Sequence, residues 1–417
     1  MQYTLYGDGI HDDLPAIQEM LDSGVSLVYL PVPKAHYVIS DTILVHSGQE
    51  LRLDRYTRVM LAPGANTYML RNADPMGGNE NVRISGGIWD MNHNEQKPHP
   101  FNFRDADTGR TAWEELSARG FRNWIIPIEK DAPGVTKIAG RDFPVDVYTG
   151  FCMYFCGVRG FYLGNMTVVN PPLYAMDLYA VENFTIENVE FEFTEGSPKK
   201  HNMDGVHLEG YCKNGVIRNL KGACHDDTVA LTTDDSYKAG PIENILIDGV
   251  FSEGGHSAVR LLSRTFPIRN VHVTNIYGTY YIYAMTISKY SSLPERGIFE
   301  NVTVDNVYAS TCTGTGDVRD SYLPLVYIGD EIDIQNLTVR SLHRRETHCT
   351  VPTFGIGKGT VIHTLSLSDC TQQNLLDAPI EFIHNDGVIE RLYSHNVDIG
   401  DDPFLCGSGS ILWKNLS

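Results

Sequence analysis

The chain lacks a basic run, a long apolar run and a clustered cysteine framework, and each absence removes a class of function. Its basic runs are no longer than Lys199–Lys200, and the formal net charge is −19 over 417 residues. Nucleic-acid backbones are gripped by clustered Lys and Arg, so no nucleic-acid partner is expected. No apolar stretch approaches the roughly 20 residues of a membrane-spanning helix, so no membrane partner is expected either. The opening MQYTLYGDG has neither the basic start nor the apolar core of a signal peptide. A cytoplasmic location is therefore expected for the chain as it stands, and secretion if it is a trimmed mature form. The cysteines, Cys152, Cys156, Cys212, Cys224, Cys312, Cys349, Cys370 and Cys406, are scattered. One CxxxC pair without a second pair or nearby histidines is a poor zinc signal, so reduced buried thiols and no metal or cofactor are expected.

What is present is globular: 42% hydrophobic and 20% charged residues argue against disorder. The first segment, YGDGIHDDLPAIQEMLDSG, places Asp13 to cap a short helix carrying Ala16, Ile17, Met20 and Leu21 on one face, with Gly24 as its stop. VSLVYLPVPKAHYVIS then alternates as strand, broken by Pro31 and Pro33. A short helix followed by strands, here residues 1–40, suits a cap over the open end of a β-stack.

A repeat organises the rest. ENVRISGGIW begins at Glu80, ENFTIENVEF at Glu182, KNGVIRNLKG at Lys213 and ENILIDGVF at Glu243. RNVHVTNIYG follows at Arg269, ENVTVDNVYA at Glu300 and EIDIQNLTVR at Glu331, with weaker copies at Val361 and Val388. The leading Asn of the central copies falls at Asn183, Asn214, Asn244, Asn270 and Asn301, about 26 to 31 residues apart. A period in the range of roughly 20–50 signals stacked units, and this one is too short for propeller blades. Short strands with inward Val, Ile and Leu and stacked Asn at the turns fit the coils of a parallel β-helix. We therefore expect an all-β chain forming one parallel β-helix domain over residues 1–417. A sandwich or jelly roll is the main competitor.

The repeat stops between residues 92 and 147. DTGRTAWEELSARGFRNW predicts a helix after Asp107 or Thr108, and Phe101, Phe103, Trp113, Phe121 and Trp124 supply unusual aromatic surface. Such an insertion either packs on the outer wall, makes a contact between copies in a homo-oligomer, or forms a sugar-stacking flap over a cleft.

The chemistry gathers between His201 and His256: HNMDG, HDD and GGH. Asp204 precedes Asp226 and Asp227 by 22 and 23 residues, and His256 follows Asp227 by 29, each about one coil. Asn214 to Asp226 and Asn244 to His256 are both 12, so these two groups occupy equivalent places on adjacent coils. Asp204 is less well phased, being 21 from Asn183 with TEGSPKKHN between them. Taken singly, Asp-Gly and Asp-Asp make turns. Carboxylates in phase on neighbouring coils raise one another's pKa, which divides acid from base as glycosidic hydrolysis requires.

Asn202-Met203-Asp204-Gly205, His225-Asp226-Asp227 and Gly255-His256-Ser257 resemble, in the same order, the NTDG, GDD and GHG motifs of glycoside hydrolase family 28, the polygalacturonases. GDGIHDDLPAIQ is similar to the N-terminal cap of pectate-lyase-like β-helix proteins, and NPPLYAMDLYAVENFTIENV to the coil before the family's site. The resemblance implies a right-handed parallel β-helix and inverting hydrolysis of pectic or related plant oligosaccharides without a metal. It makes Asp226 the general acid and gives Asp204 and Asp227 the positioning and activation of water. It has His256 support the protonation of the acid, and places Asn202 beside the sugar; His225 stands where the family has Gly, which changes the wall beside the acid and could add a hydrogen bond to the sugar.

The family's uronate-binding RIK motif has no counterpart, since the matching place reads Thr286-Ile287-Ser288. Lys289, a candidate substrate-binding cation, is one residue off, and strand alternation turns it to the other face. Arg260 shares strand parity with His256 and could substitute as a substrate-binding cation, or lie outward in a surface ion pair. The competing functions are a β-helix lyase or epimerase, and a non-catalytic carbohydrate-binding or tailspike-like β-helix.

Overall fold

The computed structural model describes residues 4–96, 128–132, 135–138, 141–143, 151–194, 202–233, 239–289, 294–314 and 323–417, with the segments between 128 and 143 described as backbone. The chain is a right-handed parallel β-helix whose coils group into two compact units. The first holds residues 1–185, 189–209 and 235–239; the second holds 186–188, 210–234 and 240–417.

In the first unit the single described α-helix, α1 (Leu14–Asp22), buries Ala16, Ile17 and Leu21 and leaves Met20 half-buried. Gly24, at φ 78°, accepts the left-handed turn that ends it. Asp13 stands at the N-cap position, but its side chain does not cap the helix. Its carboxylate accepts instead from the backbone N–H groups of Tyr6, Gly7 and Val38, and so ties the leading segment to a strand. The helix is fastened to its neighbour by Gln18, whose amide exchanges hydrogen bonds with both backbone groups of Leu44.

Three columns of parallel strands follow. Leu27–Leu30, Glu50–Leu53, Asn79–Ser85 and Val158–Val169 stack in one. Tyr37–Ile39, Arg58–Leu61 and Ile88–Asp90 stack in the second. Ile43–Val45, Leu70–Asn72, Met153–Cys156, Met176–Tyr179 and Val206–Glu209 form the third. Where the repeat stops, Ile128–Ala132, Val135–Ile138 and Arg141–Phe143 form an antiparallel three-stranded sheet. The expected helix and aromatic cluster of that insertion lie outside the described residues.

In the second unit the repeat becomes register. Lys213 pairs with Glu243, Glu243 with Arg269, and Arg269 with Glu300, so the leading residue of each copy stands over the next. Arg269 joins both acidic neighbours, at 2.6 Å to Glu243 and 3.1 Å to Glu300. Two residues on, Ile245, Val271, Val302, Leu337, Leu365 and Leu392 stack inward and are buried. Burial of each such side chain contributes roughly 1.5–3 kcal/mol.

Between these positions the Asn side chains form the amide ladder that the spacing predicts. Asn244 donates to Asn214, Asn270 to Asn244, Asn301 to Asn270 and Asn336 to Asn301, at 2.9–3.0 Å. Asn214, Asn244, Asn270 and Asn301 have φ between 53° and 58°, a region that costs most residues about 1–2 kcal/mol and Asn less. Farther along the same strands, Phe251, Tyr277, Tyr308 and His343 stack ring on ring at 5.1, 5.5 and 4.8 Å. Among the described residues the cysteines form no disulfide.

Candidate active site

Asp227–Thr232 pairs in parallel with the later part of Ile242–Leu262. Asp227 faces Ser257 in this register, which sets Asp226 opposite His256 on the adjoining coil. The equal 12-residue offsets from Asn214 and Asn244 are therefore a true phase. The glycines before His256 arrange its presentation. Gly254 has φ 72° and its N–H donates to Thr279, while the pairing with the next coil slips on both sides of Gly255. Such bulges re-aim a side chain without breaking the sheet.

Neighbours in sequence, the two aspartates meet opposite surroundings. Asp226 is 17% exposed at its side chain and lies 3.5 Å from Nδ1 of His256, itself 19% exposed. Asp227 is completely buried. Its Oδ1 accepts the hydroxyl of Ser257 in a short hydrogen bond, and that of Tyr283 at 3.4 Å. Its Oδ2 lies 2.7 Å from Nε of Arg260. The Nε–H is not aligned on that oxygen, so the contact is one of charge. Burial pushes the Asp227 carboxyl above its ordinary range; Arg260 opposes this, Asp226 adds to it, and His256 and Ser257 pull down. Burial and the Asp227 charge raise the Tyr283 phenol well above its usual value, so it stays a donor. Nδ1 of His256 is also 3.0 Å from Ser257 Oγ, and its ring meets the edges of Tyr281 and Tyr283.

Asp226, Asp227 and His256 offer ligand atoms within 4.8 Å of one another. The Arg260 guanidinium lies beside the same cluster, against Asp227.

The other expected site residues fall as follows. Arg260, 18% exposed at its side chain, lies against the buried Asp227 rather than outward in a surface ion pair. Lys289, a substrate-binding candidate, has its ammonium against Glu331 and the carbonyl of Glu295, and its side chain is almost wholly buried. His225 is buried at 7% exposure. Asn202, half-buried with φ 52°, and Asp204 belong to the first unit. Asp204 is buried and its Oδ2 lies 2.7 Å from Nδ1 of His207, whose ring stacks on Tyr174 at 4.2 Å. His201 lies outside the described residues.

The motifs did not reveal Ser257, as a bonded partner, or Tyr283. They also passed over a row in the first unit, where Arg71 pairs with Tyr154, Tyr154 with Asp177 and Asp177 with His207. Asp177, His207 and Glu209 are fully buried, and Asp177 and Glu209 help to raise the Tyr154 phenol, after burial itself. A signal was available: MDLY and VHLE alternate, and their polar members share one face.

Residues 149–259, which contain all three motifs, match the model of glycosyl hydrolases family 28. Over that segment the chain is similar to family 28 glycosyl hydrolases. No curated protein matches the chain. Among solved structures it is similar to the family 28 exopolygalacturonase of Yersinia enterocolitica, with 15% identity, a TM-score of 0.57, and coverage of 99% of this chain and 76% of that one. It is equally similar to the A-module of an Azotobacter vinelandii mannuronan C-5 epimerase, at 13% identity and TM-score 0.58, covering 100% and 98%. A surface adhesin of Streptococcus pneumoniae matches at 14% identity and TM-score 0.53, covering 100% and 92%. Likeness at these identities is likeness of fold.

Proposed function

We propose that the protein is a glycoside hydrolase that cleaves pectic or related plant-type oligosaccharides by inverting acid–base hydrolysis. The observation that carries the reading is the pairing of Asp226 with His256 across adjacent coils, partly exposed, in front of a buried Asp227. A glycosidic bond breaks when its leaving oxygen receives a proton, and Asp226 is the carboxyl at the accessible edge. His256 sits within electrostatic reach of it and supports its recharging. The resemblance gives Asp227 a share in activating water. Its contact with Arg260, which opposes the upward push of burial, supports another part, that of a charge held behind the reacting pair. The family match over the three motifs supports the same reading.

The test is incubation with a panel of pectic and other plant oligosaccharides, following new reducing ends. Asp226→Asn is expected to lower kcat roughly 100-fold or more with little change in KM. A variant that keeps full hydrolytic rate would remove Asp226 as the acid. Ultraviolet-absorbing unsaturated products, or activity abolished by a chelator, would favour a lyase instead.

A further inference from the structure

Arg260 lies one residue beyond the matched family segment and holds no position that the motifs assign. It contacts a carboxylate that has no access to water. From there a chain of hydrogen bonds runs to the accessible edge: Asp227 Oδ1, Ser257 Oγ, His256 Nδ1, with Asp226 Oδ1 3.5 Å from that same nitrogen. A serine hydroxyl has a single proton to give. When Asp227 is ionised it can only accept, so Ser257 donates to it, and Ser257 Oγ must then accept from an N–H at Nδ1. When Asp227 is protonated the chain can run the other way, with Asp227 donating to Ser257 and Ser257 to a bare Nδ1.

We propose that Arg260 is a positioning residue that fixes the direction of this chain, and so keeps the ring proton of neutral His256 on Nδ1 and the lone pair on Nε2. The groups facing Asp227 make the direction contestable. Burial and the adjacent Asp226 favour reversal, whereas Arg260 from the next coil opposes it, as does the His256 ring when it carries a charge. Tyr283, from the coil after, donates in either case. Ser257 is the coupling: without its hydroxyl, this chain of hydrogen bonds from His256 to Asp227 is broken. The consequence for hydrolysis rests on the function proposed above. The tautomer itself does not.

The experiment is nitrogen NMR on protein labelled at histidine, with His256 assigned by its loss in His256→Gln. The wild type is expected to show a protonated Nδ1 and a bare Nε2. Arg260→Met is expected to shift the populations toward the opposite tautomer, and Arg260→Lys to restore the wild-type pattern. Ser257→Ala gives a mixed tautomer that no longer responds to the charge at 260; should Arg260→Met fail to fold, Ser257→Ala and Arg260→Lys carry the test. A wild-type His256 protonated on Nε2, or wild-type nitrogen signals in Arg260→Met, would overturn the proposal. In the hydrolysis assay Arg260→Met should lower kcat roughly tenfold or more with KM nearly constant. A raised KM with an unchanged tautomer would make Arg260 a substrate contact and sink the positioning role. A wild type that hydrolyses nothing would end the proposed function and leave the tautomer test in force.

Discussion

Asp226 and Asp227 show how far one peptide bond can separate two carboxylates. Strand alternation sends one side chain toward the accessible edge and the other behind it, and every later difference between them follows from that. Lys289 shows the same rule from the opposite side. Its ammonium is held by Glu331 and by a backbone carbonyl. Lys289→Met is therefore expected to lower the urea midpoint of unfolding while leaving KM for any hydrolysed sugar unchanged; a KM rise of several-fold with an unaltered midpoint would return Lys289 to the substrate. At this scale the sequence was legible where motif and period agreed, as at Asp226 and His256. It was not legible where the partner was decided by burial. Nothing in VRLLS says that Arg260 faces a carboxylate from the preceding coil, and Ser257 reads as a small residue beside a histidine until its neighbour in the stack is known.

The coil is the element of this molecule, and its turns are set by Asn. Each ladder Asn satisfies two demands, a left-handed backbone and an amide that both donates and accepts along the stack. The two demands separate by substitution. Asn270→Gly keeps the backbone and loses the ladder, and should cost about 0.5–1.5 kcal/mol. Asn270→Ala loses both and should cost about 1 kcal/mol more. Equal midpoints for the two variants in urea would show that the backbone demand is absent. This element could be read from the sequence because Asn recurs with the apolar pattern and the period is nearly one coil. The helix start was harder. Asp13 has the residue type and place of a cap, yet its carboxylate went to Tyr6, Gly7 and Val38, donors that become neighbours only when the strand is in place.

For the whole molecule, the pH dependence of stability follows from which groups folding holds charged. Glu346 is kept below its ordinary 4.5 by Arg344 and the His348 N–H, against the upward push of burial. Ser408 holds Asp386 at about 2 through its N–H and hydroxyl. Depressed carboxylates stabilise above their unfolded values, and that contribution is lost as pH falls through the folded ones. His363 and His384 are raised above 6.5, first by hydrogen bonds to Glu390 and Glu381 respectively. Raised histidines stabilise below 6.5, and their contribution is lost as pH climbs through the folded values. Asp227, raised by burial, contributes in the opposite sense to the other carboxylates. The urea midpoint should therefore peak between the ordinary values of 4.5 and 6.5. A midpoint that keeps rising toward alkaline pH would contradict this balance.

The ring stack of Phe251, Tyr277, Tyr308 and His343 gives the second unit an optical property. Phe251 and Tyr277 are inclined by 4°, and Tyr277 and Tyr308 by 3° at 5.5 Å. Transition dipoles held that close in a chiral column couple as excitons, and the coupling vanishes once the rings slip by a coil. Near-ultraviolet circular dichroism should therefore carry a tyrosine band that belongs to these coils, and its loss would time their separation apart from the melting of the rest.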